Sequence, residues 1–197
     1  MRTSDKMYEY EDDKYKLEIV PDEFHDNPRE WSNFGKMLCW HDRYDLGDEN
    51  EYETPTEFDE YIERLDKVKD VVILPLYLID HGGIAMRTSS FGDPWDSGQV
   101  GYIYTTLEWA KEEFGREYTV DEIREYLINE VEIYTAFLSG NVWVYVISEK
   151  VHCNECGHND HEVVDSCGGI FGTGSVVETM KGQADPEYHY LFDEIEV

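Results

Sequence analysis

With 197 residues and 41% apolar content, the chain can bury a real core, but its 45 Asp and Glu against 16 Lys and Arg leave a net charge of −29. Its basic residues are scattered among acids, as at Lys67 and Lys69 beside Asp66 and Asp70, which argues against direct nucleic-acid binding, because that needs clustered cations to displace counterions. No apolar run is long enough for a transmembrane helix, and the start of the chain lacks the apolar stretch of a signal peptide, so a cytoplasmic protein with reduced thiols is expected.

Residues 1–13 are charged and poor in aliphatics and are expected to form a flexible acidic arm. Tyr15, Leu17 and Ile19 alternate, which predicts a strand ending at Pro21. Asn27-Pro28 signals a turn, and a short helix is expected over Arg29–Met37. Thr54-Pro55-Thr56-Glu57 opens a second helix with a cap, a first-turn proline and a capping-box glutamate. Val71–Ile79 reads as a buried strand whose Pro75 marks an edge or a bulge. Asp80-His81-Gly82-Gly83 then reads as a hairpin turn into Ile84–Thr88.

After a loop over Phe91–Gly98, Val100–Tyr104 is a further strand, and Thr105–Glu108 starts a short helix that stops at Gly115. Thr119–Leu138 is the strongest helix signal. Thr119 and Glu122 form a capping box, Gly140 lies past the end, and Val120, Ile123, Leu127, Val131, Tyr134 and Leu138 keep helical spacing. Val142–Ser148 is a β-branched strand. Only four alanines and 14% aromatics argue against a helical bundle. The expected class is α+β: a mixed or antiparallel sheet packed with a few amphipathic helices. The expected organisation is one domain over residues 14–174, with a small Cys/His insertion at 151–168 and an acidic tail at 175–197.

Four groups of residues are candidates for function. Cys153-Asn154-Glu155-Cys156-Gly157-His158 has the CxxCG form of a metal knuckle, with Cys167 as third ligand and His158 or His161 as fourth, which points to structural zinc. The second group is acidic. Glu122, Glu125, Asn129 and Glu132 share one helix face, and Glu57, Glu60 and Glu63 share another, at Cβ spacings of about 5–6 Å. Such stripes suit a partner that normally binds a phosphate backbone. The third is the loop Asp93-Pro94-Trp95-Asp96-Ser97-Gly98, which combines a rigid proline, an aromatic platform and two carboxylates; it reads either as a recognition loop with Trp95 and Asp96 as contact residues or as a tight connection whose Asp96 and Ser97 cap backbone groups. Cys39, His41, Asp42, Asp80, His81, Asp93 and Asp96 are candidates for catalysis, with Cys39 and His41 as a thiol–imidazole pair. No nucleophile elbow, phosphate loop, HExxH or dinucleotide fingerprint accompanies them, so binding is the stronger reading.

Several segments together resemble an uncharacterised family of small acidic proteins encoded by bacteriophages and mobile elements. They are Asn27-Pro28-Arg29-Glu30-Trp31, Met37-Leu38-Cys39-Trp40-His41-Asp42-Arg43-Tyr44-Asp45-Leu46-Gly47-Asp48, Leu74-Pro75-Leu76-Tyr77, Asp80-His81-Gly82-Gly83-Ile84, Pro94-Trp95-Asp96-Ser97-Gly98-Gln99-Val100-Gly101 and Asp165-Ser166-Cys167. The resemblance spans about residues 15–172 and implies an accessory protein acting inside a bacterial host cell. The function expected from both lines is an acidic, nucleic-acid-mimicking inhibitor of a basic host defence protein. The alternative is a zinc-stabilised accessory protein that binds a protein or small molecule without mimicry.

Overall fold

The computed structural model describes residues 8–65, 67, 70–93, 95–152 and 159–195. Its contacts divide into two compact units, one built from the two ends of the chain and one from Asn27–Ser139. Neither coincides with the 14–174 boundary expected from the sequence. Both units are α+β, each with a four-stranded antiparallel sheet.

The unit formed by the chain ends has strands β1 (Tyr8–Glu11), β2 (Tyr15–Pro21), β7 (Val142–His152) and β8 (Asn159–Phe171), in the order β1-β2-β7-β8. Period-2 alternation buries Leu17 and Ile19 of β2, Tyr145 and Ile147 of β7 and Ile170 of β8 in one cluster. Helices α4 (Val176–Gln183) and α5 (His189–Asp193) cover that cluster with Met180, Leu191 and Phe192. Two expectations are corrected here. Tyr8–Glu11, assigned to a flexible arm, is a strand, because its tyrosines pack on the core beside β2. The supposed acidic tail folds into α4 and α5, because Met180, Tyr188, Leu191 and Phe192 supply an apolar face that composition alone obscures.

The central unit holds β3 (Lys36–Cys39), β4 (Val71–Asp80), β5 (Ile84–Arg87) and β6 (Ser97–Thr106), in the order β3-β6-β4-β5. Helices α1 (Pro55–Leu65), α2 (Leu107–Phe114) and α3 (Val120–Leu138) complete it. Both sheet faces are covered. Val72, Leu74, Leu76 and Leu78 of β4 bury against Ile123, Leu127 and Val131 of α3. On the opposite face, Leu38 and Tyr104 pack with Phe58 of α1. The α3 boundaries follow the sequence signals: Thr119 and Glu122 form the reciprocal capping box, and Gly140 beyond the helix has φ 68°.

Two local devices shape this sheet. Leu76 pairs with Gly101 and Tyr77 with Gln99, so Val100 is the extra residue of a β-bulge. The bulge lies next to Pro75, where β5, which reaches only to Tyr77, no longer flanks β4. Gly101 is required by close approach, since a Cβ there would lie 2.0 Å from the Leu38 carbonyl oxygen.

The helix expected over Arg29–Met37 is absent. Pro28–Glu30 makes one 3-10 turn capped by Asn27, and the chain then extends into β3. Arg29 explains why. Its side chain is 3% exposed and donates from Nε and Nη2 to the two Asp48 oxygens at 2.8 and 2.7 Å, from Nη1 to Glu130 Oε2 at 3.0 Å and from Nη2 to the Gly35 carbonyl at 2.6 Å. Glu130 also accepts from the Phe34 amide, and Asp48 Oδ2 accepts from the Met37 amide at 2.7 Å. The fork therefore ties the turn, β3, the loop at Asp48 and α3 into one network. Burial opposes the Arg29 charge, but Asp48 and Glu130 outweigh it and hold the guanidinium firmly protonated. Replacing Arg29 with Met should cost about 3–5 kcal/mol in urea unfolding, because two largely buried carboxylates lose their counter-charge. Adding Glu130→Gln to that variant should recover part of the loss, as a double-mutant cycle would show.

Candidate functional site

The central sheet brings three separated loops to one end. Because β3 and β4 both run antiparallel to β6, the C-terminal ends of β3 and β4 meet the N-terminal end of β6. The Trp40–Tyr44 segment, the Asp80–Gly83 turn, Asp93 and the Trp95–Gln99 segment converge there. They line an open cavity of about 500 Å³ whose walls include Trp40, His41, Asp42, Arg43, Asp80, Trp95, Asp96 and Gln99. These are stretches of the segments that carried the family resemblance, now adjacent in space.

Hydrogen bonds brace the walls. Asp80 Oδ2 accepts from Arg43 Nη2 at 2.6 Å and from the Tyr44 hydroxyl at 2.9 Å, a bond that raises the Tyr44 pKa. His41 Nδ1 accepts from the Arg43 and Tyr44 amides at 3.2 and 3.3 Å, which leaves the proton of the neutral ring on Nε2. His81 Nδ1 lies 2.7 Å from Asp96 Oδ2, and the Asp80 amide donates to the Asp96 carbonyl at 3.0 Å. Asp93 Oδ1 accepts from the Trp95 and Asp96 amides at 2.9 and 3.3 Å, and these bonds hold its carboxyl below the usual range. Trp95 stands at the mouth with 90% of its surface exposed. Trp40 instead donates its indole N–H to the Tyr52 carbonyl at 3.0 Å and packs beside Phe58.

The cysteine candidate in this region is corrected by its surroundings. Cys39 packs in the core cluster, and desolvation, with Asp48 adding to it, pushes its thiol up to about 12. His41 Nδ1 is already engaged by backbone amides, so the two do not form the expected thiol–imidazole pair.

The two acidic stripes are present but stand apart. Glu57, Glu60 and Glu63 are exposed on α1, while Glu125 and Glu132 are exposed on α3, against the opposite face of the sheet. A single flat partner surface therefore cannot engage both at once. Glu122 is already engaged: it closes the capping box with Thr119 and pairs with Arg116 at 3.0 Å. The Thr119 backbone bond, followed by Arg116, lowers its pKa. Glu125, Asn129 and Glu132 have no hydrogen-bond or ion-pair partner among the described residues. With Glu122 and Tyr126 they border a shallow concavity of about 540 Å³ on the outer face of α3.

Of the expected metal ligands, Cys153, Cys156 and His158 lie outside the described residues. His161 and Cys167 both sit on β8, where they pair with Lys150 and Tyr145. Those partners stand five positions apart on β7, on the order of 17 Å, whereas ligands of one zinc ion lie about 2.0–2.3 Å from it. The structure thus does not bring His161 and Cys167 together. Among the described residues, no group of three His, Cys, Asp or Glu side chains could hold a metal.

Comparison with protein-family models, curated proteins and solved structures finds no match. No helix among the described residues is long and apolar enough to cross a membrane. The Arg29–Asp48–Glu130 network escaped the sequence reading, since separations of 19 and 101 residues carry no periodic signal. Cys39 should resist thiol-specific reagents at pH 8 in the native protein and react fully once unfolded; mass spectrometry of labelled peptides checks this.

Proposed function

We propose that this chain is an acidic binding protein that docks onto a basic, nucleic-acid-binding protein of a bacterial host, as an accessory inhibitor of the phage or mobile-element type. The observation that supports this is the outer face of α3. Glu125, Asn129 and Glu132, without a partner among the described residues, project there beside Glu122 over a concave surface. Nearby cations are largely committed elsewhere. Arg29 is buried with Asp48 and Glu130, Arg116 pairs with Glu122 and Lys111 with Glu117; Arg124 lies on the flank of α3, about 100° from Glu125 at helical spacing. A field left uncompensated in this way attracts a cationic surface and repels nucleic acid.

The stripe on α1 serves as an internal control, because it lies on the other side of the sheet. With a basic partner captured from bacterial lysate on the parent protein, the Glu125→Lys/Glu132→Lys variant should lower the association rate by about tenfold or more and weaken its salt dependence. Its unfolding free energy should stay within about 0.5 kcal/mol of the parent, since both side chains are exposed. Glu57→Lys/Glu60→Lys should leave that rate much closer to the parent value. Surface plasmon resonance at low and high salt measures both, and an unchanged rate in the α3 variant overturns the reading.

Structural zinc belongs to the same proposal, with Cys153, Cys156, His158 and His161 as its ligands and Cys167 left out. The knuckle segment falls between β7 and β8, and His161 lies three residues past it in the chain. Zinc bound there would staple the connection between the two strands. Elemental analysis of the purified protein should find zinc that disappears in Cys153→Ser/Cys156→Ser and persists in Cys167→Ser.

A further inference from the structure

The geometry points to the cavity at the end of β3, β4 and β6 as a receptor for a guanidinium group: an arginine side chain of a partner, stacked on Trp95 and held by the carboxylates of Asp42 and Asp96.

The first support is Trp95. A side chain of this size left 90% exposed is unusual, and its backbone is not loose. Asp93 caps the Trp95 and Asp96 amides, the Ser97 hydroxyl donates to the Asp93 carbonyl, and the Asp80 amide holds the Asp96 carbonyl. The indole face is thus presented to solvent from a braced turn. An indole face attracts cations through its quadrupole, and guanidinium adds planar stacking to that attraction.

The second support is the sign of the cavity. Among the described residues, Asp42, Asp80 and Asp96 line it, against one fixed cation, Arg43. Arg43 is already matched to Asp80 at 2.6 Å, so it does not offer a free anion site. Asp42 is exposed and has no hydrogen-bond or ion-pair partner among the described residues. Asp96 uses Oδ2 toward His81, while no contact to its Oδ1 is seen among the described residues. The cavity already accommodates this chemistry once within the chain: Arg43 reaches Asp80 while its guanidinium carbon lies 5.4 Å from the Tyr44 ring centroid. An aromatic face combined with open carboxylates selects a planar cation over an anion or a neutral amide.

This inference goes beyond the α3 reading and does not depend on it. The test is an NMR titration of the Trp95 indole N–H resonance, assigned by its loss in Trp95→Phe. The probes are N-acetyl-arginine amide, N-acetyl-citrulline amide and inorganic phosphate. A saturable shift with the arginine compound in the millimolar range, and none with the other two, is expected. Asp42→Asn, at an exposed position without a partner among the described residues, should weaken that binding at least threefold. Asp96→Asn should do so more strongly, provided its amide spectrum shows the turn intact. Glu125→Lys/Glu132→Lys should leave arginine binding unchanged even where it abolishes partner binding, so the two readings fail separately. Absence of a saturable shift, an equal response to citrulline, or full affinity in Asp42→Asn overturns the proposal.

Discussion

One buried guanidinium organises the central unit. Arg29 places its donors on Asp48, Glu130 and the Gly35 carbonyl, and those acceptors also take the amides of Met37 and Phe34. A carboxylate with 13% of its side chain exposed, such as Glu130, is tolerable only beside such a partner. Desolvation raises the Glu130 pKa even with Arg29 working against it, which shows how strongly this place disfavours an isolated charge. The network fixes where β3 begins and how closely it approaches α3. Gly35 belongs to the same constraint: a Cβ there would lie 2.4 Å from Leu127 Cδ2 and 2.6 Å from Ile103 Cγ1.

The geometry of the cavity follows from that anchored strand. Once β3 is in register with β6, its continuation through Trp40 to Tyr44 emerges at the sheet end where β4 turns and β6 begins. The Val100 bulge and the close approach at Gly101 set the path of the neighbouring strand, and the Trp40 amide donates to the Val100 carbonyl at 2.7 Å. The cavity is therefore built on sheet ends and braced turns, which hold its polar groups in defined positions.

Charge and topology act together on the acidic surface. A sheet covered on both faces needs helices on both sides, and an amphipathic helix must turn its polar side outward. In a chain with 45 acidic residues, each such helix becomes an acidic face. The faces of α1 and α3 consequently point away from one another, so the carboxylates form separate fields within this unit.

Local signals were legible where neighbours in sequence decide the structure. The Thr119–Glu122 box, the stop before Gly140, the alternation in β2 and the apolar run of β4 all act within a turn or a strand. The α+β class and the outward direction of Glu125, Asn129 and Glu132 followed from the same short-range periodicity. Longer-range competition overturned other readings: Lys36 and Met37, at the end of the expected helix, gained a ladder to β6 in place of helical bonds, and residues 176–193 gained a core to cover. Sequence alone also singled out Asp42, Asp80 and Asp96 as polar residues in loops or near strand ends, and Trp95 as an aromatic beside them, but did not show them as neighbours. Strand order, the partners of Arg29 and the convergence of three loops depend on contacts between residues far apart in the chain, and packing and hydrogen bonding choose these only after the local elements exist.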